Sequence, residues 1–463
     1  MAQRETWTTR LGFILAAVGS AVGLGNIWGF PFQAGRNGGA AFLLVYLVVV
    51  LLVGLPAMLM EFVVGRRSKK NPVDAFRELG YGSWTFAGAL TAFIAFWILS
   101  FYSVVGGWVI RYLVGSVTGA YFGGTEVGNY FLSIAMGPDA VAFHALFMLL
   151  SVGIVALGVS DGIERATKLM VPSVVVLLVG IAVWAATLTN AGAGYDFYLS
   201  PDLGEVQWGT VIPYAVGQAF FTLSLGMGAM ITYASYLGED DSLPADGGII
   251  VVLNTLVGVL AGFVVFPVLF HYDPSIDLSG AGGSGTAFTT LSSAFAGLGG
   301  VGRVLASVFF FVLLIAALSS SISLLEVVTS YVLDNTDYER SSVSVGAGSA
   351  VFLFGLPAAL GLNWLGLQNA SGIDTLTWYN DIAYNLLLPL SVLAVAVFVG
   401  WVYGRDALDE IRRGSGTANW FDVTWLWFVR LVVPAGILFT LVLGVQTLLV
   451  NAQVLAGPVF EFG

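Results

Sequence analysis

The stretch WTTRLGFILAAVGSAVGLGNIWGFPFQAGRNGGAAF, residues 7–42, is apolar enough to cross a bilayer, yet Gly19, Gly23, Gly25, Asn26 and Pro31 lie inside it. A spanning helix needs about 20 predominantly apolar residues. Glycine, asparagine and proline in the middle of one predict a break. Backbone freed by a break cannot face lipid, so it must line a cavity or be buried in protein. A second stretch has the same character: GQAFFTLSLGMGAMITYASY, residues 217–236, sets Gly217, Gly226 and Gly228 around Thr222 and Ser224. Membrane glycines usually just let helices pack closely. That reading weakens where Asn, Thr and Ser share the same short window.

Outward from these windows the chain is apolar throughout. Of its 463 residues 57% are hydrophobic and 10% charged, with a mean hydropathy of +0.89. Soluble domains are about 25% charged, so a water-soluble fold is excluded. Apolar segments fall at 10–36, 40–65, 85–118, 140–160, 166–189, 209–237, 247–270, 301–334, 343–361, 376–403 and 426–452, which predicts eleven membrane helices. The Gly-, Ser- and Thr-rich stretch 275–300 reads as a long structured loop. With the N-terminus inside, 14 of the 17 basic residues face the cytoplasm, leaving Arg36, Arg111 and Arg303 outside. The odd helix count then puts the C-terminus outside, in a multi-pass protein of the cell membrane.

The absence of cysteine excludes disulfides and thiolate metal sites, and His144 and His271 lie too far apart in sequence to suggest a metal pair. No signal peptide is expected. The net charge of −11, with only three lysines among the 17 basic residues, fits acidic loops in a high-salt cell rather than a basic partner; no nucleic-acid binding is expected. No nucleophile–base cluster or phosphate loop suggests an enzyme.

The two damaged spans are the first and the sixth, matching members of two successive sets of five. Interrupted spans at corresponding positions point to a transporter's midplane site. Together with FYSVVGGW (101–108) and GIERATKLMVP (162–172), the two windows closely resemble the neurotransmitter:sodium symporter family, in its prokaryotic, eleven-helix, amino-acid-transporting branch. The resemblance implies an all-α polytopic fold: two inverted five-helix repeats of leucine-transporter type (1–190 and 205–404), then an eleventh helix and tail (420–463). It also implies sodium-coupled uptake of a neutral amino acid by alternating access, in a monomer or weak dimer.

By resemblance, one sodium rests on the Ala21 carbonyl, Asn26, Thr222 and Asn254, joined by the substrate carboxylate. A second rests on the carbonyls of Gly19, Val22 and Ala316 and the hydroxyls of Ser319 and Ser320. Neutral oxygens suffice there, because helix C-terminal ends carry partial negative charge. Amides at Leu24 and Gly25 and the Tyr102 hydroxyl would hold a carboxylate; carbonyls of Ala21, Phe221 and Thr222 and the Ser320 hydroxyl would hold an ammonium. The side-chain pocket would comprise Gly23, Ile98, Phe221, Ser224, Met227, Ser320 and Leu324. It carries no charge, and amine carriers of the family have an aspartate where this chain has Gly23. Both features favour a neutral, hydrophobic amino acid: branched aliphatic, methionine or aromatic.

The resemblance further implies an inner gate of Arg4 and Trp7 with Asp334 as acidic partner and Tyr236 in support. The family's outer arginine–aspartate pair is missing, its positions being Gly29 and Asn380, with Asp381 one residue on. Outer closure by Tyr102 against Phe221, helped by Gln33 and the 275–300 loop, is expected instead. Candidates for a chloride or proton site are Tyr46, Gln218, Gly258, Thr222 or Ser224, and the intramembrane Glu61. Two rival readings stay open: a sodium symporter of the same fold for another solute, such as a betaine or nucleobase, and a non-transporting sensor or leaky channel.

Overall fold

The computed structural model describes residues 5–460, apart from 205, 239, 279–283, 363–374, 415–419 and 456 and the side chains of 284 and 420. The described chain is helical, with no strand. Among the described residues nine helices are long and apolar enough to span a membrane: α2 (Ala40–Ser68), α3 (Gly82–Thr118), α4 (Pro138–Val155), α5 (Val159–Ala185), α7 (Leu243–Tyr272), α8 (Gly299–Asn335), α9 (Arg340–Ala359), α10 (Thr375–Tyr403) and α11 (Phe421–Asn451). A tenth span is bent by 50° between α1a (Arg10–Ala21) and α1b (Gly25–Arg36). The sixth is two pieces, α6a (Trp208–Thr222) and α6b (Ala229–Ser235), each too short to cross alone.

Local chemistry explains both breaks. The Thr9 hydroxyl caps α1a by accepting from the Gly12 amide, and the helix ends at Val22, whose backbone turns extended (ψ 96°). α1b opens with a wide π-turn over Gly25–Gly29, and Pro31 follows it in the first turn of the regular helix Phe30–Arg36. In the sixth span Gly226 and Gly228 take φ of +75° and +71°, and Ser224 takes +53°. The left-handed region suits glycine but costs a serine of order 1 kcal/mol. Surrounding contacts hold Ser224 there.

The expected loop at 275–300 is in part a helix, Ser284–Gly297. Its buried Phe288, Leu291 and Phe295 recur at helical spacing. The small polar residues between them hid that period. The interior is one continuous apolar core, while Leu149, Leu169 and Val176 stand outward, as a lipid-facing surface requires. At Gly19 an added Cβ would lie 3.2 Å from Thr167 and Val171 and 3.3 Å from Ser319, so α1a, α5 and α8 meet there only because the residue is small.

Candidate functional site

The two breaks face each other midway along the bundle. Asn26 donates through Nδ2 to the Asn254 carbonyl (3.1 Å) and Oδ1 (2.8 Å), crossing from α1b to α7. Its own Oδ1 accepts from the Gly23 amide at 3.3 Å. The terminal amide atom of Asn254 that faces Asn26 also lies 3.3 Å from the Ala21 carbonyl oxygen, 3.1 Å from the Thr222 carbonyl oxygen and 3.3 Å from Thr222 Oγ1. Turned one way, the amide gives these oxygens its N–H groups. Turned the other, it offers a further oxygen to a shared cation. All four residues expected around the first sodium therefore converge.

The second expected set also comes together. Ser319 Oγ donates to Ala316 O (3.0 Å) and reaches Val22 O (3.4 Å). Ser320 Oγ donates to Ser20 O (2.9 Å) and reaches Gly19 O (3.4 Å). Among the described residues no three His, Cys, Asp or Glu side chains gather to hold a metal ion. A hard cation here would depend on neutral oxygens.

A small cavity of about 20 Å3, near the size of one water, lies beside these atoms. Its walls are Ala21, Gly23, Leu24, Gly25, Ile98, Tyr102, Phe221, Ser224, Met227, Ser320 and Leu324, the expected pocket residues except Thr222, together with Ser20. The Leu24 amide donates to the Tyr102 hydroxyl at 3.2 Å, so the two groups expected to grip a carboxylate already touch. Ser20 was not anticipated, because its part is played by backbone. Its carbonyl accepts from Ser224 Oγ (2.8 Å) and Ser320 Oγ (2.9 Å), tying the sixth-span break and α8 to the end of α1a.

A Cβ on Gly23 would come 2.9 Å from the Tyr102 hydroxyl and collide with Ser320 Oγ. Gly23→Ala should therefore weaken solute binding about tenfold or more, by overpacking, while sodium still raises the melting temperature. Equal affinity in competition binding would show that solute does not occupy this space.

Above the small cavity opens a vestibule of about 890 Å3 that shares Leu24, Gly25, Tyr102 and Phe221 with it. Gln33, Arg36, Asn380 and Asp381 also line the vestibule. Asp381 accepts from Asn451 Nδ2 on α11 at 3.1 Å and from Asn380 Nδ2 at 3.4 Å. The Phe221 ring pairs with Tyr384 at 6.1 Å, and Phe288 of the helix at 284–297 packs on Trp28 at 5.3 Å.

On the opposite face the N-terminal segment is fastened down. Trp7 donates from its indole to the Tyr233 carbonyl (2.9 Å) and from its amide to the Tyr236 carbonyl (3.3 Å). Arg4 lies outside the described residues. Asp334 accepts from the amide (3.0 Å) and side chain (2.9 Å) of Asn71. Nearby Asp74 is pushed up by burial, but hydrogen bonds from Asn71, Asn335 and Arg77 outweigh this and hold it below the ordinary carboxylate range. The Tyr236 hydroxyl donates to Glu326 (2.6 Å), which pairs with Arg340. Thr8 and Thr9 donate to Glu164 at 2.8 and 3.0 Å, and Arg10 pairs with Asp246 at 2.6 Å. Of these anchors, the buried acid Glu326 in an apolar span carried a signal that sequence reading could have used.

The anion or proton candidates other than Glu61 lie close together, with the Phe30 ring packed on Tyr46 at 4.8 Å. Gln218 donates to the Gly25 carbonyl at 2.9 Å, Tyr46 lies among Thr222, Asn254 and Thr255, and Gly258 faces the Phe30 ring. Glu61 is some 22 Å further along α2 by helical rise. It accepts from the Gly226 amide at 2.6 Å, so it holds the sixth-span break.

Two broken helices around a small midplane pocket, opening through a vestibule on one face, define a secondary transporter. The sodium:neurotransmitter symporter family model matches residues 4–125 and 136–454. The uncharacterized sodium-dependent transporter YhdH of Bacillus subtilis is 34% identical over 437 residues, covering 93% of this chain and 96% of that one. The sodium-dependent nutrient amino acid transporter 1 of Drosophila virilis is 25% identical over 508 residues (95% and 77%). The crystal structure of MhsT in complex with L-phenylalanine superposes with a TM-score of 0.85 at 39% identity, covering 95% of this chain and 99% of that one. The chain belongs to the sodium:neurotransmitter symporter family. It is a sodium-dependent membrane transporter and not an enzyme, built on two inverted five-helix repeats with a further helix.

Proposed function

We propose that this transporter carries a neutral, hydrophobic amino acid into the cell with sodium, by alternating access. The observation that carries the reading is the small cavity, walled by apolar side chains, a few hydroxyls and the main chain of the first-span break, with no charged side chain in its lining. An amino acid's own two charges would be met by backbone amides and carbonyls, leaving an uncharged side chain for Ile98, Met227 and Leu324. A flexible thioether at Met227 tolerates varied shapes. The L-phenylalanine in the MhsT complex belongs to that protein, and it supports an aromatic or large aliphatic solute here.

Sodium is cargo at two sites in this reading. The first is Ala21, Asn26, Thr222 and Asn254; the second is Gly19, Val22, Ala316, Ser319 and Ser320. A substrate carboxylate that completes the first site couples the two solutes, because each improves the other's binding by the same factor. We assign charge balance to Glu61 rather than to chloride, since the Gln218 amide is already committed to Gly25. The repeats span 1–190 and 205–404, the Trp7 face is cytoplasmic and the vestibule opens outside, as the arginine and lysine distribution favours.

Proteoliposomes with an inward sodium gradient should accumulate a labelled hydrophobic amino acid above its outside concentration, and replacing chloride should leave this unchanged. Competition by all twenty amino acids should rank aromatic and branched aliphatic side chains first. Equilibration without accumulation would mean a leak or a sensor, and competition by a betaine or nucleobase instead would mean another solute.

A further inference from the structure

The chain does not leave the bundle at the end of α11. Gln453 takes a φ of +59° and the Val454 amide returns to the Leu449 carbonyl at 2.9 Å, so the helix ends by reversing the backbone. Residues 457–460 then run back along α11. Gln446 receives them: its Oε1 accepts from the amides of Val459 (2.9 Å) and Phe460 (2.7 Å), and its Nε2 donates to the Phe460 carbonyl (3.2 Å). A primary amide has the donor and acceptor geometry of a peptide group. Three bonds from one side chain make a specific clasp on the backbone. Pro458 and Phe460 thereby become part of the vestibule wall. Asn451 on the same helix donates to Asp381 of α10, fixing the end of α11 beside the mouth.

We propose that residues 457–460 are a lid over the vestibule, clasped by Gln446, that slows exchange between vestibule and bulk water. Val459 and Phe460 are at least half exposed, so the clasp opens without unpacking the core. The proposal rests on reading the vestibule as the solute's entrance.

The chain contains no cysteine, so Thr210→Cys on the vestibule wall provides a single thiol. In purified, sodium-loaded protein in detergent, maleimide labelling of that thiol measures how often the mouth is open, with no solute present. Adding Gln446→Ala should speed labelling roughly tenfold, as loss of three half-exposed hydrogen bonds implies; Phe460→Gly keeps those backbone bonds but takes the ring out of the vestibule wall, and should speed labelling as well. Gln446→Glu keeps an acceptor for both amides but sets its second oxygen against the Phe460 carbonyl that Nε2 now donates to, so its rate should fall between those of the parent and Gln446→Ala. Equal rates in the parent and in both the Gln446→Ala and Phe460→Gly backgrounds overturn the lid. Labelling needs no transport, so a lid failure and a failure of the amino-acid reading are told apart.

Discussion

Arg340→Ala should destabilise the protein by about 3–5 kcal/mol, the range for removing one partner of a buried ion pair. The Glu326 side chain is fully buried and that of Arg340 is 15% exposed. Without the guanidinium, the carboxylate keeps only the Tyr236 hydroxyl, which cannot replace a countercharge. The structure can relieve this strain by letting water reach Glu326, which means opening the Trp7 face. The variant should therefore melt earlier and shift toward a conformation open on that side. Pairs with one exposed partner on the same face set the contrast. Arg10 is about half exposed beside Asp246, and Glu5 is 43% exposed beside Arg340, so Glu5→Gln should cost under about 1 kcal/mol. The decisive measurement is a double-mutant cycle. Adding Glu326→Gln to Arg340→Ala removes the stranded charge and should restore much of the lost melting temperature. Additive losses would mean that the pair does not act as a unit.

Asn254→Ala should lower sodium affinity about 10- to 100-fold. A hydrogen-bonded contact to a charge contributes about 1.5–3 kcal/mol, and each 1.4 kcal/mol is tenfold. The side chain is buried and its terminal atom is shared by oxygens from α1a and the sixth-span break. Removing it takes away one proposed cation ligand and also the partner that orients Asn26. Melting curves in sodium and in potassium separate these effects. A ligand that binds only the folded state stabilises by RT ln(1 + [L]/Kd), so the variant should lose most of the sodium-specific shift. Its melting in potassium should fall much less, by the cost of the Asn26 contact alone. An unchanged sodium titration would remove this cluster from the sodium sites. Ser319→Ala tests the other cluster, and its effect should add to that of Asn254→Ala if the two are independent.

Much of this site was legible because backbone breaks and membrane insertion are local. Gly226 and Gly228 signal left-handed turns, and Gly23 to Asn26 signal a gap in a helix, whatever surrounds them. The resemblance then named candidate oxygen ligands that composition alone could not, since a lone Ser319 or Thr222 more often just bonds the carbonyl one turn back; the structure brings those candidates together. Ser20 escaped because any residue type can offer that carbonyl. The helix at 284–297 escaped because glycine, serine and threonine diluted its apolar period.

The sequence by itself determined the solvent, the approximate spans and the places where two of them break. These follow from the free energy of moving side chains into lipid and from the φ and ψ preferences of a few residues. Only the tertiary structure decided that Glu326 meets Arg340, that Arg10 meets Asp246 across 236 residues, and that Gln446 turns back to hold Val459 and Phe460. Such pairings depend on how helices pack in three dimensions, and no hydropathy period along the chain encodes them.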